Sequence, residues 1–343
     1  FLHSFLQVNE KKDGYKMFKP KRLIFAVTLA AGLLLSSPVN AEVHKEVHGN
    51  TTTTVSTSYS AKLKNVGAQQ LVTKKSVRLY SVVNGLPNYD SYIAVPKNTV
   101  LTIKSKLQNN QGYVVTKAGS HGEFELLNPE KAVYATTGLK NDKQTVAKLK
   151  SASKKWAKGL SKADVKAIRY YTNKGYGKIN TALRTPKSKP TKTVKSSIKR
   201  INASINKFNL TKPLTIYRGT SLVGLKKSLA NQSIKVGRQY QDPAYSSCTL
   251  SQMIALGFSK QHVILKINLP AGKHGAYIDP ISTNIGEKEY LLKPGTKMIV
   301  TRVQKGQSTT RTETSVKQKG KKAQSQTVNT KINYTMVTLN LNQ

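Results

Sequence analysis

The sequence predicts an α+β fold: a small β-rich module, then a larger domain in which helices precede strands. Three observations point there. Short β-type runs separated by turn residues crowd residues 67–128, helical periodicity takes over between 146 and 206, and β-type runs return from Leu214 to Leu341. Helices and strands segregated in this way make an α+β domain, not a repeating βαβ unit. The 343 residues suffice for two domains, and 38% apolar with 7% aromatic content suffices for a core.

The first segment with a clear signature is Met17-Phe-Lys-Pro-Lys-Arg22, followed by an apolar run from Leu23 to Leu35 and then Ser36-Ser-Pro-Val-Asn-Ala41. A positive stretch, an apolar stretch and small residues at Val39 and Ala41 spell a secretory signal peptide over 17–41, cleaved after Ala41. The apolar run is too short for a comfortable membrane span. The expectation is an exported, soluble mature chain beginning near Glu42, with residues 1–16 ahead of the start codon. The lone cysteine, Cys248, excludes an internal disulfide and a cysteine-cluster metal site. Lys and Arg number 57 against 15 Asp and Glu, a formal charge of +42. Such an excess adheres to polyanions: nucleic acid, anionic lipid, anionic wall polymer or an acidic protein surface.

Residues 42–66 are Thr/Ser-rich, without apolar rhythm, and read as a linker. In 67–130, β-type runs at Gln70–Val72, Val77–Tyr80, Tyr92–Val95, Thr99–Lys104, Gly112–Thr116 and Glu123–Leu127 are separated by turn residues such as Asn84-Gly85 and Pro96. The stretches Ile93–Ile103 and Gly112–Val115 resemble the Src-homology-3-like modules that bacteria append to secreted proteins. That resemblance implies attachment to wall or host surface, or a structural spacer.

The second domain, 140–343, starts with helical patterns at Val146–Lys158, Lys162–Asn173 and Thr193–Asn206, with Ser161 and Asp164 as a capping box. Strands follow at Leu214–Arg218, Ala244–Ser247, His262–Leu269, Gly275–Ile278, Glu289–Leu292, Lys297–Val303 and Ile332–Leu341. Lys305–Lys331, polar and basic, reads as a long flexible insertion in the terminal hairpin. The glycine fingerprint of doubly wound dinucleotide sites is absent.

Three segments carry candidate chemistry. Ile216-Tyr-Arg-Gly219 ends an apolar run; Arg218 can fork its guanidinium onto two anionic oxygens, and Gly219 would let a ligand approach the backbone. Tyr245-Ser-Ser-Cys-Thr-Leu-Ser251 puts the hydroxyls of Ser247 and Thr249 on one strand face. Gly286-Glu-Lys-Glu-Tyr-Leu-Leu292 places Glu287 and Glu289 at i and i+2, which in extended chain aims both carboxylates into one cleft and couples their titration. Taken singly, these are an ordinary solvated Arg, a helix cap and two surface charges.

In that chain order, however, Arg-Gly, Ser-x-Thr and E-x-E resemble the Arg–Ser–Glu signature of the bacterial mono-ADP-ribosyltransferase exotoxins. Trp156, Ala167–Asn173, Tyr176–Asn180 and Leu183-Arg184 resemble that family's helical lobe. Gly275–Ser282 and Leu291–Thr296 resemble the strands flanking its catalytic glutamate. The similarity covers residues 142–343, and extends to the clostridial Rho-modifying exoenzymes and iota-like binary toxin components. It implies an ADP-ribosyltransferase fold, a helical lobe packed on two β-sheets around an NAD⁺ cleft. It also implies a secreted enzyme that moves ADP-ribose from NAD⁺ to a host protein, with NAD glycohydrolase side activity and no metal. Carried over, Arg218 holds the NAD⁺ phosphates, with Gly219 and Thr249 beside the dinucleotide, and Ser247 orients the catalytic glutamate. Glu289 stabilises the oxocarbenium-like cation, and Glu287 positions and deprotonates the acceptor.

Two departures matter. The family's Ser-Thr-Ser is Ser247-Cys248-Thr249 here, and Glu287 stands where Rho-modifying relatives carry Gln and attack Asn. A carboxylate can take a proton from a guanidinium and an amide cannot, so Glu287 favours an arginine acceptor. Against that, Ile278–Ser282 is most like the Rho-modifying group, while Asn284 stands where those relatives present an aromatic. The alternatives are a Rho-type asparagine-specific transferase, a wall- or polyanion-binding adhesin with a degenerate transferase domain, and a nucleic-acid binder. The last is disfavoured by the absence of an aromatic-interleaved basic motif and by the signal peptide.

Overall fold

A computed structural model describes residues 42–108, 111–139, 141–185, 187–284 and 286–342. The expected signal peptide at 17–41 lies outside the described residues. The chain opens with β1 (Glu42–His48) and β2 (Thr51–Asn65), so residues 42–66 are not a linker. Six short strands follow: β3 (Gln70–Val72), β4 (Val77–Val83), β5 (Leu86–Val95), β6 (Val100–Lys106), β7 (Gly112–Lys117) and β8 (Glu123–Leu127). They form one antiparallel sheet in the order β3-β6-β7-β8-β4-β5. Leu79, Leu101, Val115 and Leu126, all buried, make its core.

After a short helix α1 (Pro129–Ala132) come α2 (Lys143–Lys158) and α3 (Lys162–Tyr170). A π-helical turn at Tyr171–Gly175 then leads into α4 (Tyr176–Arg184), and α5 (Lys192–Asn206) follows. Asp142, Ser161 and Thr191 cap α2, α3 and α5 by accepting from the backbone N–H three residues on, the Ser161 bond being 3.1 Å. The apolar faces of these helices pack Ile168, Ile179, Ile201 and Ile205 against the sheet residues Tyr245, Tyr277 and Tyr290. Trp156, Phe208 and Tyr290 continue the contact edge to face, with centroids 5.7 and 6.3 Å apart.

The remaining elements are β9 (Leu214–Thr220), α6 (Leu222–Ser228), β10 (Gln239–Gln241), β11 (Ser246–Thr249), α7 (Gln252–Gly257) and β12 (Val263–Leu269), then β13 (Gly275–Tyr277), β14 (Glu289–Leu292), β15 (Lys297–Gln318) and β16 (Gln324–Leu341). With β1 and β2 they form a sheet in the order β1-β2-β15-β16-β12-β9-β11-β14-β13, to which β10 adds on β15. Among the described residues only the β12–β16 pair is parallel. The α+β class expected from the sequence is the one observed.

The segment Lys305–Lys331 is no flexible insertion. Strands β15 and β16 pair from Met298↔Leu341 out to Val316↔Gln324, with one register shift between Val300 and Arg302, and Gly320 turns the chain with φ 78°. Along the same stretch β2 pairs with β15 from Asn65↔Gln304 to Thr51↔Gln318. Threonine suits a pleated, half-buried surface and each segment finds its pairing partner far away in sequence, so the lack of apolar rhythm misled in both. Alternation survives in burial instead: Val55 is 2% and Thr57 6% exposed. Between the two sheets, Val72 packs on Tyr134 and Ile299, and its carbonyl accepts from the Tyr134 N–H at 2.9 Å.

Gly219 sits where β9 meets α7. A Cβ there would lie 2.1 Å from the Ala255 carbonyl oxygen and 2.9 Å from the Ser259 nitrogen. The expectation that Gly219 admits a ligand is therefore corrected: its missing side chain makes room for a helix. Gly219→Ala should destabilise the protein by about 1–3 kcal/mol in urea unfolding; an unchanged midpoint would mean that α7 is free to move away.

Candidate active site

Strand pairing brings the three motif segments together. Thr249 on β11 stands opposite Tyr217 on β9 on one side and opposite Glu289 on β14 on the other. That row brings Arg218, Ser247 and Glu289 together although they lie far apart in sequence. Ser247 donates to Glu289 Oε1 at 2.5 Å, and Ser282 donates to Oε2 at 3.3 Å. Both oxygens of a carboxylate only 4% exposed are thus held. Arg218, with a side chain 18% exposed, donates through Nη1 to the Ser247 carbonyl at 2.9 Å.

The E-x-E pair does not sit on one extended strand. Gly286 and Lys288 have φ of 91° and 52°, and β14 begins only at Glu289. Glu287 is presented by a turn, half-buried, yet near enough for its charge to act on Glu289. Thr249 also departs from expectation. Its hydroxyl is buried and accepts from the Ser251 N–H at 3.1 Å, which turns the chain into α7. Ser247 alone of that hydroxyl pair reaches the carboxylate.

Burial pushes the Glu289 carboxyl up to about 7, and the neighbouring Glu287 charge adds to the shift against the opposing Ser247 bond. Burial also raises the Glu287 carboxyl, while a hydrogen bond from Asn284 opposes the shift. Cys248 is buried behind the site, and desolvation raises its thiol to about 12, so it is an inert filler.

Residues outside the motifs complete the arrangement. Asp242, 6% exposed, accepts a forked pair of bonds from Arg184 at 2.9 and 2.7 Å, lies 3.9 Å from Arg218 Nη2, and accepts from the Ala244 N–H at 3.0 Å. One carboxylate thus ties two guanidiniums from different elements into a cationic shelf. The loop before β14 is moored to the π turn: the Thr172 hydroxyl accepts from the Thr283 N–H at 3.1 Å, and the Asn284 amide donates to the Thr172 carbonyl at 2.9 Å. Sequence reasoning missed Asp242 and gave Arg184 and Ser282 no role. The available signal was scarcity: with only 15 acidic residues in the chain, an Asp directly before the Ser-rich strand merited notice. Among the described residues no group of three His, Cys, Asp or Glu could hold a metal ion, and no helix is long and apolar enough to cross a membrane.

A carboxyl held near 7 in the fold, against 4.5 free, opposes folding by roughly 3 kcal/mol above pH 7. The native state binds the extra proton between these values, so this penalty fades as pH falls from 7 to 4.5. Glu289→Gln keeps the Ser247 bond and removes the charge. It should raise the melting temperature at pH 8 and lose that advantage towards pH 4.5; equal melting at pH 8 would show Glu289 to be well solvated.

The family model described as ADP-ribosyltransferase exoenzyme matches residues 149–323. The chain is similar to NAD(+)--arginine ADP-ribosyltransferase EFV of Enterococcus faecalis (strain ATCC 700802 / V583), with 29% identity over 162 residues, 44% of this chain. It spans only 31% of that relative. Among solved structures it is similar to Plx2a, an ADP-ribosyltransferase toxin from Paenibacillus larvae, at 21% identity and a TM-score of 0.44, covering 58% of this chain and 94% of that one. It is also similar to the enzymatic component C2-I of the C2-toxin from Clostridium botulinum at 12% identity and a TM-score of 0.48, covering 89% and 68%. The family match spans the helical lobe, all three motif segments and the mooring loop, and the chain belongs to the ADP-ribosyltransferase exoenzymes.

Proposed function

We propose that this protein is a secreted NAD⁺–protein mono-ADP-ribosyltransferase that modifies arginine on a host protein. The observation that carries the reading is the buried Glu289 carboxylate, held at both oxygens by Ser247 and Ser282 and flanked by Glu287. NAD⁺ is the donor substrate, and its pyrophosphate lies on the shelf formed by Arg184 and Arg218, whose guanidiniums are fixed by Asp242. The bond from the ribose anomeric carbon to the nicotinamide nitrogen breaks, its electron pair neutralising the departing pyridinium. Positive charge then develops on the ribose beside Glu289, which stabilises it more in the transition state than in the ground state. A guanidine nitrogen of the acceptor attacks that carbon, and Glu287 takes the proton it sheds. Water attacking instead gives the glycohydrolase side reaction.

The acceptor chemistry rests on Glu287, and the arginine-directed name of the Enterococcus relative agrees with it. Secretion rests on the residue pattern at 17–41, and the host protein acceptor on kinship with toxins. The basic charge supports contact with anionic wall or host surface.

Incubation with labelled NAD⁺ and host lysate, followed by mass spectrometry, should find ADP-ribose on arginine. Glu287→Gln should lose that transfer by on the order of 100-fold while nicotinamide release into water persists; modified asparagine in the wild type would overturn the arginine reading. Because Glu289 acts as an anion, kcat/KM for NAD⁺ should fall tenfold per unit as pH drops below about 7. A flat profile down to pH 5 would contradict that role. Asp242→Asn should raise KM for NAD⁺ about tenfold with kcat little changed; a loss confined to kcat would remove Asp242 from the binding shelf.

A further inference from the structure

The six-stranded sheet carries a second candidate site, remote in sequence from the transferase motifs. Its strands β4, β5 and β8 reverse the charge of the molecule. They hold Asp90, Glu123 and Glu125 against a single cation, Arg78, in a chain with 57 Lys and Arg and 15 Asp and Glu. On one face the pairing aligns Glu125, Tyr80 and Tyr92 in a row across the three strands. Tyr80 meets Tyr89 and Tyr92 edge to face, with centroids 5.4 and 6.1 Å apart. Tyr89 is 56% and Tyr92 46% exposed, where an aromatic cluster in a folded sheet would ordinarily be covered.

Two details point to a cationic ligand. The Arg78 guanidinium already lies 4.6 Å from the centroid of the Tyr92 ring, so the face accommodates a cation over an aromatic. Beside the Tyr80–Tyr89 pair, Glu125 is 95% buried and its Oε2 has no hydrogen-bond partner. The Tyr89 phenol lies beside this carboxylate, which raises the phenol's pKa. A buried carboxylate oxygen left unsatisfied is costly unless something fills the position. One free oxygen suits a compact ammonium better than a guanidinium, whose fork wants two. Among the described residues strand β5 ends the sheet order, and its outer edge can take an extended chain whose alternate side chains reach the tyrosine face.

We propose that the outer face of β4, β5 and β8 binds an extended, lysine-bearing peptide, its ammonium reaching the unpartnered Glu125 oxygen and seating against Tyr80 and Tyr89. The +42 charge repels polycations elsewhere on the surface, so affinity for such a peptide is specific to this face.

The test is binding of the full chain to immobilised acetyl-(Lys-Val)3-amide and to the same peptide with its lysines acetylated. Wild type should bind the first at least about tenfold more tightly than the second. Tyr89→Ala and Glu125→Gln should each lose about tenfold in affinity while nicotinamide release is unchanged. Tyr89 is exposed, so its variant keeps the test sound even if Glu125→Gln fails to fold. Equal binding of the acetylated peptide, wild-type affinity in Tyr89→Ala, or no binding by the wild type would overturn the proposal. A wild-type dimer dissolved by Tyr89→Ala would put a second copy on this face and would overturn it too.

Discussion

The hydrogen bond from Ser247 to Glu289 is the contact through which the rest of the site is organised. It exists because β11 lies between β9 and β14, with Thr249 opposite both Tyr217 and Glu289. Any slip of one residue in that pairing would turn Ser247 to the other face and leave the Glu289 carboxylate buried without its main donor. The register is fixed from behind by packing. Tyr245 precedes β11 and meets Tyr171 of the helical lobe edge to face, while Tyr290 follows Glu289 and meets Phe208 in the same way. Side chains of the candidate site thus alternate along the strands with the aromatic anchors that locate them.

The site concentrates the anionic groups of a cationic protein. Asp279, Glu287 and Glu289 converge there, and the repulsion of Glu289 by the other two, together with its burial, opposes folding while poising its carboxyl near neutrality. The stabilising counterparts lie around the rim. Arg184 and Arg218 neutralise Asp242, and Ser247 and Ser282 hold Glu289. The π turn at Tyr171–Gly175 belongs to the same construction: Thr172 binds the loop that carries Glu287, linking that carboxylate to the helical lobe. Asn284, expected at a position that relatives use for recognition, is occupied here in that mooring.

Much of this was legible in the residues. The order Arg218, Ser247, Glu287, Glu289 picked out side chains that the fold gathers together because side-chain chemistry is local information, and the helices declared themselves by period and caps. What escaped was set by partners distant in sequence. Thr51–Asn65 and Lys305–Lys331 have no apolar rhythm, and each becomes regular only because the other is there to pair with. Gly219 looked like a ligand-facing glycine because nothing in its neighbourhood announces that α7 crosses it. Asp242 carries no motif; its role appears once Arg184 and Arg218, from separate elements, are seen on the same carboxylate. Extended geometry through Glu287 was the natural expectation for E-x-E, and the positive φ of Lys288 that breaks it has no sequence signal.

The most direct measurement is nicotinamide release from NAD⁺ by wild type and by Glu289→Gln, both shown to be folded by circular dichroism. If the buried carboxylate stabilises the departing-group transition state, release should fall by on the order of 100-fold or more in the variant. Release at the wild-type rate from a folded Glu289→Gln protein would contradict the placing of the chemistry at Glu289.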